Sequence, residues 1–95
     1  MRIIGKGRLH SFSAKYPDCR TWVVNWLADA ECSSWTTPQS IKERYSTASF
    51  LASNVVIFNV RGNNYRLEVC IAYQTLTVLI VWVGTHADYA RRHHR

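Results

Sequence analysis

The chain has 95 residues, 47% of them hydrophobic and 19% charged. These proportions exclude a disordered or collagen-like polypeptide and suit one domain, residues 1–95, built on a single core. Twelve Lys and Arg against six Asp and Glu leave a net charge of +6, which fits either an anionic partner or a plain solubility surface. The excess is uneven. Arg2, Lys6, Arg8, Lys15 and Arg20 against Asp18 make residues 1–20 +4, residues 21–60 come to −1, and residues 61–95 to +3. If the two ends meet in space, they build one positive surface suited to polyphosphate.

In chain order, Arg2–Ile4 reads as a short extended start. A helix is predicted from about Lys6 to Tyr16, with Leu9, Phe12 and Tyr16 at spacings of three and four, and Pro17 ends it. Asp18 is placed to cap a second helix, in which Cys19, Trp22, Val23, Trp26, Leu27 and Ala30 recur at helical spacing until about Cys32. A turn this short between them predicts a helical hairpin. Pro38 opens a helical turn in which Ser40 and Glu43 have the spacing of a capping box.

Beyond Asn54 the pattern is β: VVIFNV, a turn at RGNN, YRLEVCIAY, a turn near QTL, then TVLIVWVG. Strands this close together pair antiparallel. The expected fold is α+β, with the N-terminal helical hairpin packed on one face of a 3–4-stranded antiparallel sheet and a C-terminal tail that is a short helix or irregular. The other sheet face is expected to be free. Arg66 alternates with Tyr65, Leu67, Val69 and Ile71, so it is expected to look into that open concavity.

Three cysteines, Cys19, Cys32 and Cys70, form no metal-like spacing, and the start MRIIGKGRLH lacks the apolar centre of a signal peptide. Both features suit a reducing cytoplasm. The longest apolar run, Val78–Val83, is far shorter than the roughly 20 residues a membrane helix needs.

An ordered series of segments, MRIIGKGRLHSFSAKYPD, SSWTTPQSIKERYSTASFL, VVIFNVRGNNYRLEV and VGTHADY, resembles the HigB toxins of the RelE/ParE superfamily of bacterial toxin–antitoxin systems. GNNYRL and VGTHADY are its most specific parts. The resemblance implies a cytoplasmic ribonuclease that cuts messenger RNA, usually on the ribosome, and is silenced by a HigA-type antitoxin, with no metal or cofactor.

Metal-independent RNA cleavage uses the substrate's 2′-hydroxyl as nucleophile, so it needs a proton handler and positive charge around the phosphorus. The resemblance gives these roles to His86 and Arg66, with Tyr89 donating to the phosphate or stacking on a base. By position alone His86 reads equally as a strand-end residue satisfied by a hydrogen bond, and Tyr89 as a packing residue. Lys6, Arg8, Arg61, Asn64, Arg91 and Arg92 are candidate RNA contacts, each also explicable as a solvated or turn residue, and the tail RRHHR adds charge. Gly62 and Asn63 suit a hairpin turn with positive φ. Two positions depart from the family pattern, Asn64 where lysine is frequent and Val81 where arginine is common, and both weaken the expected catalysis. Two rival readings stand beside the nuclease: a non-catalytic RelE/ParE-type binder that inhibits gyrase or the ribosome, and a plain basic RNA-binding module.

Overall fold

A computed structural model describes residues 1–93, and His94 and Arg95 of the charged tail lie outside the described residues. Strand β1 (Arg2–Ile4) leads into helix α1 (Lys6–Lys15), a 3-10 turn (Pro17–Cys19) and helix α2 (Arg20–Cys32). Helix α3 (Pro38–Arg44) follows, then β2 (Ser49–Phe50), β3 (Val55–Val60), β4 (Tyr65–Ala72), β5 (Thr77–Thr85) and helix α4 (His86–His93).

Local chemistry explains most of the boundaries, though two caps differ from expectation. Asp18 does not cap α2. It lies in the 3-10 turn, where its carboxylate accepts from the Tyr65 hydroxyl at 2.7 Å, and α2 starts at Arg20 with no side-chain cap. In α3 the cap is Thr37, whose Oγ1 accepts from the Ser40 N–H at 3.3 Å, with Pro38 as first helical residue. Ser40 is therefore inside the helix rather than at its start, because Pro38 already has the fixed φ that a first turn needs.

The sheet has five strands in the order β1-β5-β4-β3-β2 and is mixed, not a purely antiparallel three- or four-stranded sheet. Arg2–Ile4 runs parallel to Thr77–Leu79, and Ser49–Phe50 adds an edge beside β3. The long connection through α1, α2 and α3 lets the first strand return parallel to a strand far away in sequence, which a local pattern cannot register.

One sheet face carries the core. Val56, Phe58 and Val60 of β3, Leu67, Val69 and Ile71 of β4, and Val78 and Ile80 of β5 pack with Leu9 of α1 and Val23, Trp26, Leu27 and Ala30 of α2. Each Val, Leu, Ile or Phe side chain among them contributes about 1.5–3 kcal/mol on removal from water before entropy is counted.

A β-bulge decides what faces the other side. Glu68 pairs with Trp82 and Val69 with Ile80, so Val81 is the extra residue. One inserted residue inverts the alternation beyond it. Val83 therefore joins the core, while Trp82 and Gly84 turn to the face that carries Arg66 and Glu68.

That face is not free at this end. Helix α4 crosses it, started by Thr85 Oγ1 accepting from the Asp88 N–H at 3.1 Å. The Tyr89 ring stands 6.2 Å from Trp82 and 5.8 Å from the Arg66 guanidinium, and Arg92 lies over Trp82 at 5.3 Å. The expected open concavity is thus a covered one, with Arg66 only 8% exposed. The strand supplies one acid and one base on this face, and α4 supplies the aromatic ring and cations that satisfy them.

Candidate nucleic-acid interface

Turn, strand and helix are tied together at the end of the sheet. The β3–β4 turn holds Arg61 at φ 51° and Gly62 at φ 66°, so its left-handed residues are Arg61 and Gly62 rather than Gly62 and Asn63. Left-handed φ is costly for arginine, and the Arg61 Nη1 is anchored on the Asp18 carbonyl at 2.7 Å. Arg66 Nη2 donates to Asn63 Oδ1 at 2.5 Å, and Nη1 donates to the carbonyls of Asn63 at 3.3 Å and Tyr65 at 3.1 Å. The His86 N–H donates to the Asn64 carbonyl at 2.9 Å, which brings the first residue of α4 onto the same turn. The His86 side chain is exposed and Tyr89 half-buried. Arg66 and His86 therefore flank one turn, with Arg66 beneath α4 and His86 outside it.

Next to Arg66 on the same face is Glu68, 7% exposed. Arg92 donates to it through Nε at 3.2 Å and Nη2 at 3.4 Å, and His93 Nε2 lies 3.1 Å from its Oε1. Burial alone would push this carboxyl up. The hydrogen bonds and charges of Arg92 and His93 outweigh burial and hold it below its usual 4.5. On the core side of the same strand, the hydrogen bond to the Asp18 carboxylate, with burial, pushes the Tyr65 hydroxyl up to about 12.

Because β1 covers β5 only over Thr77–Leu79, the outer edge of β5 from Ile80 to Thr85 is left to α1 and α4. A groove of about 470 Å³ opens there among Phe12, Lys15, Tyr16, Trp82, Gly84 and Arg91. It continues past Arg8 and Ser11, sharing Phe12, Lys15, Trp82 and Val83. Four cations, Arg8, Lys15, Arg91 and Arg92, meet three aromatic rings in this groove, with Asp88 as its acid, paired to Arg91. Cations that neutralise phosphate beside rings that accept a stacked base are the two requirements of single-stranded nucleic-acid binding. Gly84, the cross-strand partner of Arg66, is required here because a Cβ would run into the Trp82 indole.

The other predicted contacts lie elsewhere. Lys6 is paired with Glu31 at 3.0 Å, remote from the turn, and Arg61 is committed to Asp18. Asn64 is exposed on the turn. Among the described residues no group of three or more His, Cys, Asp or Glu could hold a metal ion. Sequence reasoning missed Phe12, Lys15, Tyr16 and Trp82 as groove residues. The first three had a legible signal, a helical stripe with a cation inside it, but a stripe of that kind ordinarily means core. Trp82 had none, since its side is set by the bulge.

Fold and site define an α+β protein with a basic, aromatic groove at one sheet edge. A family model described as HigB toxin, RelE-like toxic component of a toxin-antitoxin system, matches residues 19–92. The chain belongs to this family, whose toxins imply an antitoxin partner. Comparison with curated proteins gives no match. Three of the four resembling segments lie within the matched residues, and Met1–Asp18 precedes them. No helix among the described residues is long and apolar enough to cross a membrane.

Proposed function

We propose that this toxin is a cytoplasmic, metal-independent endoribonuclease that cuts messenger RNA engaged on the ribosome and is silenced by a HigA-type antitoxin. The observation that carries the reading is the exposed His86 imidazole on the turn that Arg66 braces, with the cation-rich groove opening at Gly84, directly across the ladder from Arg66. A binder needs the charge but not a side chain placed to hand on a proton.

In the proposed reaction His86 takes the proton of the 2′-hydroxyl as that oxygen attacks phosphorus. The imidazolium returns a proton to the 5′-oxygen as the P–O5′ bond breaks, leaving a 2′,3′-cyclic phosphate and a 5′-hydroxyl. Arg66 stabilises the charge that builds on the phosphorus oxygens. Its Nη2 now bonds Asn63 Oδ1, so contact with phosphate exchanges that acceptor for a phosphate oxygen, which the charge-assisted bond favours. The Tyr89 hydroxyl donates to the phosphate. Arg8, Arg91 and Arg92, joined by Lys15, hold the RNA backbone along the β5 edge, Asn64 contacts it at the turn, and Lys6 and Arg61 add long-range attraction.

Mapping new 5′ ends on messages, translated and untranslated, tests this reading. Ends bearing 5′-hydroxyls are expected only during translation, and reduced about 10²–10⁴-fold in His86→Ala, the usual worth of a general acid or base. Undiminished cleavage by His86→Ala removes the catalytic assignment. Growth arrest without new RNA ends would support the gyrase- or ribosome-binding alternative.

A further inference from the structure

The opposite edge of the sheet carries a second cavity of different chemistry. Helix α2, the end of α3 and the β3–β4 turn border an open hollow of about 490 Å³, lined by Trp22, Arg44, Tyr45, Asn59 and Asn63 among others, within the range of about 300–1,000 Å³ typical of ligand sites. Strand β2 covers β3 only at Val56 and Ile57, which leaves the Asn59 edge open. The Leu51 N–H donates to the Val55 carbonyl and the Ile71 N–H to the Asn54 carbonyl. Odd-numbered residues of β3 therefore turn their backbone groups away from β4, and Asn59 presents an N–H and a C=O to the cavity.

The charge balance of the cavity separates it from the β5 groove. Its cation, Arg44, bonds the Asp29 carboxylate at 3.2 Å and lies 4.9 Å from the Tyr45 ring, and the same carboxylate accepts from the Tyr45 hydroxyl at 2.6 Å. Trp22 is backed by Trp26, whose ring is nearly parallel at 10° with its centroid 6.3 Å away. What remains for a ligand is ring surface, the Asn59 edge and the Asn63 amide. Arginine only donates, so the Asn63 atom bonded to Arg66 is its oxygen, and the free part of that amide is its NH₂. Flat rings with neutral donors and acceptors, and a neutralised cation, suit an uncharged heterocycle better than a phosphate.

We propose that this cavity holds the nucleobase of a nucleotide flanking the cleaved bond and so determines which RNA sequences are cut. The inference rests on the ribonuclease reading above. Asn63 links the two sites physically, because its amide lines the cavity while its oxygen holds Arg66. The β3 edge lies two strand spacings from β5, roughly 10 Å, so one strand of RNA crossing the end of the sheet meets phosphate-binding groove, turn and base pocket in succession. The division of labour is the general one, in which phosphate contacts position and base contacts specify.

The test is cleavage of a message library randomised around the cut site, by the wild type, Asn59→Pro, which removes the N–H that faces the cavity and is tolerated at an open strand edge, Trp22→Leu and, as a groove control, Arg8→Ala, with folding of each checked by circular dichroism. The wild type is expected to prefer one base at a flanking position, and Asn59→Pro and Trp22→Leu to lower that preference by about tenfold, the effect of one lost base contact. Arg8→Ala is expected to slow cutting of all sequences alike. If Asn59→Pro and Trp22→Leu both fold and cut with the wild-type preference, or if the wild type cuts RNA with no base preference, the pocket proposal fails and the nuclease reading stands. If the wild type cuts no RNA, the nuclease reading fails and takes the pocket with it.

Discussion

On the helix-packed side of β4, Leu67, Val69 and Ile71 are each 0% exposed among other apolar side chains. On the other side, Arg66 and Glu68 are 8% and 7% exposed beneath α4. Burial is nearly equal, but the forces differ. The first side is held by removal of apolar area from water, which has no direction and little dependence on pH. The second is held by placed hydrogen bonds and opposite charges, each of which needs its partner. The apolar side therefore fixes the fold, and the polar side fixes where α4, the turn and His86 sit.

Four substitutions or conditions sharpen that contrast. The largest effect is expected on the apolar side, where Phe58→Ala removes a ring 1% exposed and lowers stability by about 3–5 kcal/mol, read from the urea midpoint. Next, Arg92→Ala leaves the buried Glu68 carboxylate with His93 alone and costs about 1–3 kcal/mol. That loss is expected locally, as faster hydrogen exchange of α4 with little change in the sheet, and uniform exchange would contradict the contrast.

Acid probes the same pair without mutation. Folding holds the Glu68 carboxyl below its ordinary 4.5, so its contribution is complete above that value and is lost as the pH falls through the lower folded one. Near-ultraviolet circular dichroism from Trp82 and Tyr89 should report α4 loosening in that acid range, and Glu68→Gln should abolish this dependence. The smallest effect is expected at Lys6→Ala, because Lys6 and Glu31 are 43% and 45% exposed. Exposed pairs contribute about 0–1 kcal/mol, so the urea midpoint should hardly move.

Arg66→Ala cannot be read as a purely catalytic change. Besides charge, it deletes the bonds to Asn63 and Tyr65 and the packing under Tyr89. His86→Ala is the cleaner probe, since that side chain is exposed and the helix is anchored through its backbone.

The helices and the three long strands were legible because Leu9, Val23, Trp26 and Ala30, and later Leu67, Val69 and Ile71, repeat at the periods that one buried face imposes. Arg66, His86 and Tyr89 were nameable from two motifs, and the structure gathers them around one turn and helix. The strand pairings of Arg2–Ile4 and Ser49–Phe50 were not legible, since a strand of two or three residues takes its meaning from a partner remote in sequence. The α3 cap was misread because Ser40 and Glu43 fit a rule that Thr37 and Pro38 satisfy better.

What the sequence determined by itself, then, was local: the period of each segment, the helix-ending Pro17, the Gly62 turn and the charge at either end. Tertiary structure alone decided which sides those segments show. Val81 as a bulge turned Trp82 toward α4, and α4 closed over Arg66 and Glu68. The incomplete cover of β5 and β3 by their edge strands left one opening with four cations, two of them paired to carboxylates, and another whose single cation is neutralised. Periodicity is encoded by neighbours along the chain, whereas register and edge exposure are set by contacts between residues far apart in it, and no local pattern carries that information.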